Sequence, residues 1–495
     1  MKKKDLYLLL LILIVLLGAL LRLFYIMHHS VWHDEATRIS ILKFRLDELS
    51  SAVRIRTSTP PLNYYLAYFW SRLIGHSDLS LRLYSFAFSM LSIPLFYLIG
   101  LRFLSRQAGL IASFLAAISP FYVYYSQEFS EYSLLLFLSL LSLYFFLSFI
   151  RRPLALTGLL YVLCSLLAFY THYYAGVMFV VQNIFFLLLI LLRRKRSGLK
   201  SWLLTQLALL LFCTPFISRL FFATSFYTAS PRPPLINLFF SFGAFVFAYS
   251  YFKGITIIMI PFLIMALATY GLLYIHSLRF LRDSRVLFLN LHLFLSVLLA
   301  FAVSWLVHNY VLRGVIFASA GLYLLIGLAL SRIRRPAVFI IALVMVSAVS
   351  AASLFHYYFI FQKEDWRSAA GYIEVNLQEY DTVMVYPGTL SGFYHYFPEK
   401  GCVRGIPLGY ANDLDMLRQA ANASVMDISR YNMDELVAMP LAERHSRRLW
   451  VVTGHQEYDP EDPLMSYVAE RYQLVEQRDF SAVQVFLFDL DTSVI

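Results

Sequence analysis

Met1-Lys2-Lys3-Lys4, an apolar run from Leu6 to about Met27, and then Trp32-His33-Asp34-Glu35-Ala36-Thr37-Arg38 make up the stretch that decides the fold. A positive start before roughly 20 apolar residues has the length of a membrane span and the charge asymmetry that keeps its beginning in the cytoplasm. With no small-residue cleavage site, the run reads as an uncleaved anchor. Asp34 and Glu35 are then the first adjacent carboxylates beyond the span, in water close to the membrane surface. Paired acids there can act on a substrate presented at that surface, provided other segments bring positive charge.

The chain has 495 residues, 60% hydrophobic, 17% aromatic and 14% charged, with a mean hydropathy of +0.66. Soluble domains carry roughly a quarter of their residues charged, so this composition is that of a polytopic α-helical membrane protein. The net charge of +11 does not point to nucleic acid, because Lys and Arg sit in short clusters between apolar runs, as membrane topology requires. Cys164 and Cys213 lie inside apolar segments, and with Cys402 they predict neither a disulfide framework nor a thiolate metal cluster.

Alternating sides from the first span keeps Arg102, Arg106, Arg151, Arg152, the cluster Arg193-Arg194-Lys195-Arg196 and Arg332, Arg334 and Arg335 inside, and predicts about eleven spans. The membrane domain then covers 1–361, with a first outer loop at 28–81. Residues Ile236 to Tyr251 are apolar, but a span there would reverse the sides of Lys253 and of Arg279, Arg282 and Arg285; they read as a re-entrant or interfacial helix. In the first loop, Ile39, Leu42, Leu46 and Leu49 at helical spacing predict one amphipathic helix along the membrane surface.

Beyond about Gln362 the composition becomes that of a soluble domain, expected on the extracytoplasmic side as residues 362–495. Asp381 to Tyr386, Arg448 to Thr453 and Val483 to Phe488 read as strands, and Trp366 to Asn376 and Leu464 to Arg471 as helices, predicting a small α/β domain. It has no Gly-rich phosphate loop and no catalytic triad spacing.

Trp32-His33-Asp34-Glu35-Ala36, Thr59-Pro60-Pro61-Leu62-Asn63-Tyr64-Tyr65, Ser119-Pro120-Phe121 with Tyr124-Tyr125-Ser126-Gln127-Glu128, and Tyr170-Thr171-His172-Tyr173 occur in this order. The ordered set resembles the C-type membrane glycosyltransferases, in the protein O-mannosyltransferase-like branch that includes the lipid A aminoarabinose transferase. The resemblance extends to about residue 330, and the tail from Glu364-Asp365-Trp366-Arg367 is similar to tails in bacterial members. It implies the C-type fold and transfer of a sugar from a polyprenyl-phosphate carrier to an acceptor hydroxyl on the outer membrane face. It further implies Asp34 as the leading catalytic residue, with Glu35 beside it and Glu128 as a second acidic partner. The expected partners are the lipid-linked donor, a lipid, glycan or protein acceptor, and membrane lipids in the cell (plasma or inner) membrane, with no nucleic acid.

Elementary chemistry agrees with those roles. A polyprenyl-phosphate sugar carries its own good leaving group, so the needs are a base for the acceptor hydroxyl and positive charge for the departing phosphate. Asp34 serves as that base, and attack on the face opposite phosphate inverts the anomeric centre. Arg22, Arg219, Lys253 and Arg313 fall toward the outer ends of spans or just outside them and are candidates for phosphate contact; each could equally reach headgroups. Many relatives have a basic residue where this chain has Thr59 and Arg-Tyr where it has Asn309-Tyr310, so Arg313, Arg54 or Arg56 is left to substitute. Trp32, His33, Tyr64, Tyr125, His172 and Tyr310 are candidate pocket residues, and Glu131 is expected to face water. Asp34 with Glu128 offers hard oxygens to Mg²⁺ or Mn²⁺, although two acids alone do not define a metal site. The competing class is a lipid or glycan transporter, which would set its charges near the bilayer midplane.

Overall fold

The computed structural model describes residues 3–57, 59–193, 198–227, 232–248, 260–308, 310–385, 390–397, 403–405, 437–438, 441, 445–454 and 463–493. Lys253, Asn309 and Cys402 lie outside them, as do the side chains of Arg56 and Arg219 and of the cluster at 193–196. The chain divides into two compact units: Met1–Ile26, Thr59–Leu66 and Leu73–Phe361 form the first, and Met27–Ser58, Ala67–Arg72 and Gln362–Ile495 the second.

Among the described residues, the regular structure of the first unit is all helical. Among the described residues, seven helices are long and apolar enough to cross a membrane, or eight when the bent pair Arg106–Ile118 and Pro120–Ser126 is one span. Four further apolar helices are shorter, Ile236–Phe247 among them. Ile236–Phe247, with 12 residues, rises only about 18 Å against a hydrocarbon core of about 30 Å. The protein is a multi-pass membrane protein.

Small residues let helices approach closely. A Cβ on Gly100 would lie 2.1 Å from Gly109 Cα, and one on Gly327 would lie 2.7 Å from the Ala108 carbonyl. Three spans therefore meet backbone to backbone on a seam that tolerates no side chain.

The 55° bend at Ser119 has a local cause. Ser119 caps the following helix by accepting from Tyr122 N at 3.2 Å, and Pro120 at its first position has no N–H to give the Ala116 carbonyl. Arg22 supplies the missing donors: its guanidinium reaches Ala117 O at 2.8 Å and Ala116 O at 3.0 Å. It also donates to Gly18 O at 3.1 Å and Ser89 Oγ at 2.8 Å, and the residue is fully buried.

The second unit contains a five-stranded sheet in the order β2-β1-β3-β5-β4. The strands are β1 Asp381–Val385, β2 Val403–Gly405, β3 Arg448–Gly454, β4 Tyr472–Phe480 and β5 Val483–Ser493. β2, β1 and β3 are parallel, and β5 runs antiparallel to both β3 and β4. Alternation sorts the two faces. Val383, Val385, Trp450, Val452, Val485 and Leu487 pack under the helices Trp366–Asn376 and Leu390–Tyr396, whereas Met384, Leu449, Val451, Phe486 and Phe488 pack with Leu464 and Val468. Asp381 anchors the sheet's end: Arg448 holds it through two hydrogen bonds of 2.8 and 2.6 Å, and Trp450 Nε1 donates to it at 2.9 Å.

Residues 27–58 share this unit. The single amphipathic helix expected from Ile39 to Leu49 is instead two, His33–Ile41 and Leu49–Arg56. Between them, tight turn bonds from Leu42 N to Ile39 O and from Glu48 N to Arg45 O replace the helical pattern. Ile39, Leu42 and Leu49 are buried, while Leu46 is exposed, so the break re-aims one member of the expected face.

Candidate active site

The second unit carries Asp34 and Glu35 in the first turn of the helix His33–Ile41. Trp32 caps that helix without a side-chain hydrogen bond, which leaves its first N–H groups in need of acceptors. Glu364 meets one of them: its Oε2 accepts the His33 amide at 3.0 Å and the Trp366 indole N–H at 2.7 Å. The Val31 amide donates to the Tyr396 hydroxyl at 2.7 Å, and the Arg367 amide to Ser30 Oγ at 3.2 Å. Lys363 Nζ stands 5.6 Å above the Trp32 ring. The helix Leu390–Tyr396 packs along His33–Ile41, and the tail residues 363–367 thus hold the segment that carries the paired acids.

Within that pair the environments differ. Glu35 is fully buried, whereas Asp34 is half-buried and lies 4.0 Å from Arg38 one helical turn on. Asp34 is therefore the carboxylate with access, and Arg38 balances its charge. Arg54, at the exposed end of the next helix, donates to Ser51 Oγ at 3.1 Å.

The first unit carries Glu128 in the short connection between Pro120–Ser126 and Tyr132–Arg151. Gln127 fixes this connection by donating to Arg22 O and Phe24 O, both at 2.7 Å. Glu128 is fully buried, and Glu131 is also buried rather than facing water, because the chain turns inward here instead of forming an exposed loop. Arg313 Nε donates to the Tyr132 hydroxyl at 2.7 Å. The Tyr132 ring lies 5.1 Å from Tyr125 and 5.9 Å from His172. Glu128 and Arg313 both lie within electrostatic range of the Tyr124 hydroxyl. His172 Nδ1 accepts the Tyr174 amide at 3.2 Å, and the Tyr174 hydroxyl in turn accepts the Val311 amide at 3.0 Å. Tyr310 pairs its hydroxyl with Ser241 at 2.6 Å.

The first unit thus gathers Tyr125, His172 and Arg313 around Tyr132, a residue with no signal in the sequence beyond its aromatic ring. Tyr64 is buried, and its neighbour in sequence, Asn63, accepts from the Tyr84 hydroxyl at 3.0 Å. Arg22 is fully buried and gives four hydrogen bonds, to three backbone carbonyls and Ser89. Lys253 and the Arg56 and Arg219 side chains lie outside the described residues. Among the described residues no group of three or more His, Cys, Asp or Glu side chains is arranged to hold a metal ion.

A mainly helical membrane unit and a small mixed-sheet unit are the two parts of the C-type glycosyltransferase fold, and this chain has that fold. The chain is similar to ArnT from Cupriavidus metallidurans in the apo state at 13% identity and a TM-score of 0.59, covering 96% of this chain and 97% of that one. The same protein bound to undecaprenyl phosphate matches at 12% identity and 0.59, covering 98% and 97%. The Archaeoglobus fulgidus oligosaccharyltransferase in the apo form matches at 12% identity and 0.57, covering 92% of this chain and 70% of that one. The arabinofuranosyltransferase AftD from Mycobacteria matches at 15% identity and 0.50, covering 97% and 40%. The model of the family described as dolichyl-phosphate-mannose-protein mannosyltransferase matches residues 58–218. No curated protein matches the chain.

Proposed function

We propose that the protein transfers a hexosyl or pentosyl group from a polyprenyl-phosphate carrier to an acceptor hydroxyl at the extracytoplasmic face of the cell membrane, inverting the anomeric centre. The observation that carries this reading is the likeness along nearly the whole chain to ArnT solved with undecaprenyl phosphate. The ordered motifs in the sequence support it independently.

In this reading the Asp34 carboxylate accepts the proton of the acceptor hydroxyl. The acceptor oxygen bonds to the anomeric carbon as the bond from that carbon to the phosphate oxygen breaks. The electron pair leaves with polyprenyl phosphate, whose charge is met by the forked donors of Arg313. Glu35, being buried, supports Asp34 rather than touching substrate, and Glu128 is the second acid. The N-terminus faces the cytoplasm, and Asp34 and residues 362–495 face the other side.

The test uses purified protein and a panel of radiolabelled polyprenyl-phosphate sugars. Release of polyprenyl phosphate together with a labelled product of inverted configuration supports the reading. Net movement of an intact lipid-linked sugar across a vesicle membrane, with no bond broken for any donor, overturns it in favour of a transporter.

A further inference from the structure

The Arg-rich end of the first unit is built by four segments that the proposed reaction does not use. A cleft of about 250 Å³ is lined by Leu104, Arg279, Arg282, Asp283, Arg285 and Arg332, among others. A second, of about 300 Å³, is lined by Tyr7, Ser105, Arg106, Gln107, Ser331 and Arg332. Arg332 belongs to both, so the two clefts adjoin. Their linings hold five arginines and one carboxylate, and that carboxylate, Asp283, is engaged by Arg285 through its Nε at 2.9 Å.

Two of the guanidinium groups are held against rings: Arg332 lies 5.4 Å from the Phe280 ring centroid and Arg106 lies 5.3 Å from that of Tyr7. Such stacking fixes the plane of the fork while leaving its edge to bind oxygens. Leu101, Leu278 and Leu281, beside the clefts in the chain, are exposed at 39%, 36% and 41%, which gives an apolar surface next to the cationic one. The site is far from the Glu128 connection. Ser85, near the start of the helix Asp78–Phe103, bonds Ser130, whereas Leu104 follows that helix's last residue; the separation is roughly 27 Å along the helix.

We propose that these adjoining clefts bind the phosphate of an anionic phospholipid, its acyl chains lying along the exposed leucines. Cationic forks at the ends of spans, beside lipid-facing apolar side chains, match a phosphodiester headgroup more closely than a soluble anion. The site is independent of the transferase reading.

The experiment measures lipid retention by native mass spectrometry of the full chain in mixed micelles of phosphatidylglycerol and phosphatidylcholine. The wild type is expected to retain phosphatidylglycerol at least tenfold over phosphatidylcholine, and Arg279→Gln with Arg332→Gln to remove that preference. Arg151→Gln with Arg152→Gln, an equal charge loss at another exposed span end, is expected to leave it intact. Arg279→Lys with Arg332→Lys, which keeps the charge, retains part of the preference and shows that the protein folds with both positions changed. An unchanged preference in the Gln pair overturns the proposal, as does an equal loss in the Arg151 and Arg152 pair. Inorganic phosphate binding that needs Arg279 and Arg332, without lipid preference, overturns the lipid assignment.

Discussion

Glu364 accepts the amide of His33 across 331 residues of chain, at 3.0 Å, and does so at the start of the helix that carries Asp34. The carboxylate that tops the helix is itself fixed by the Trp366 indole, and Trp366 is fully buried against the sheet. The C-terminal segment is therefore part of the support of the paired acids.

Removing that support has a defined cost. Loss of a helix cap is worth about 1 kcal/mol, or about fivefold in rate if it falls on the reacting geometry. Glu364→Ala is expected to lower turnover about fivefold or more and to speed amide hydrogen exchange across 33–41, while Glu364→Gln, which keeps an acceptor oxygen, recovers most of both. Unchanged exchange in Glu364→Ala would remove Glu364 from this role.

Arg313 tests the phosphate assignment. A charge-assisted hydrogen bond to phosphate contributes about 1.5–3 kcal/mol, so Arg313→Gln is expected to raise the KM for the lipid-linked donor by tenfold or more. Arg313→Lys keeps the charge without the fork and falls between the two. Tyr132→Phe removes only the hydroxyl that orients Arg313 and has a smaller effect. Equal KM values across the series would assign the phosphate to another cation.

Arg22 predicts the opposite pattern. Arg22→Met leaves the carbonyls of Ala116 and Ala117 without their donors at the bend, a loss of about 3 kcal/mol or more. The melting midpoint in detergent falls, and the donor KM of the protein that remains folded is unchanged. A raised KM with unaltered melting would return Arg22 to the phosphate site.

Gly314 gives a steric test. A Cβ there would lie 2.6 Å from Tyr174 Cδ2 and 2.9 Å from His172 Cε1. The Tyr174 ring cannot swing aside cheaply, because its hydroxyl is tied to the Val311 amide and pairs with Ser304 at 2.9 Å. Gly314→Ala is expected to cost about 1–3 kcal/mol by overpacking and to lower activity by displacing His172; a variant as stable and active as the wild type contradicts the packing described.

What could be read in the sequence follows from range of contact. The apolar runs report themselves locally, so the described helices of the first unit fall on them, and the helix Trp366–Asn376 has the limits read from its pattern. The mixed α/β character of the tail was legible from β1, β3 and β5, whose residues are buried on both faces. β4 was not: along Tyr472–Phe480 no position is buried, so no hydrophobic period marks it. The i,i+4 spacing of Asp34 and Arg38 was in plain view, whereas Glu364 has no local signal because its partner is 331 residues away. The inward course of Arg22 had no local signal either: an Arg near a span end ordinarily reaches outward, but Pro120 on another segment leaves the Ala116 carbonyl without its helical donor, and Arg22 reaches it.

The central claim is that Asp34 takes the proton of the acceptor. The most direct measurement compares wild type with Asp34→Asn for single-turnover sugar transfer from the donor the wild type uses, with donor binding measured in parallel. Asp34→Asn is expected to bind the donor as the wild type does and to transfer at least a hundredfold more slowly, the scale of general-base catalysis. Transfer at the wild-type rate by a folded Asp34→Asn protein would contradict it.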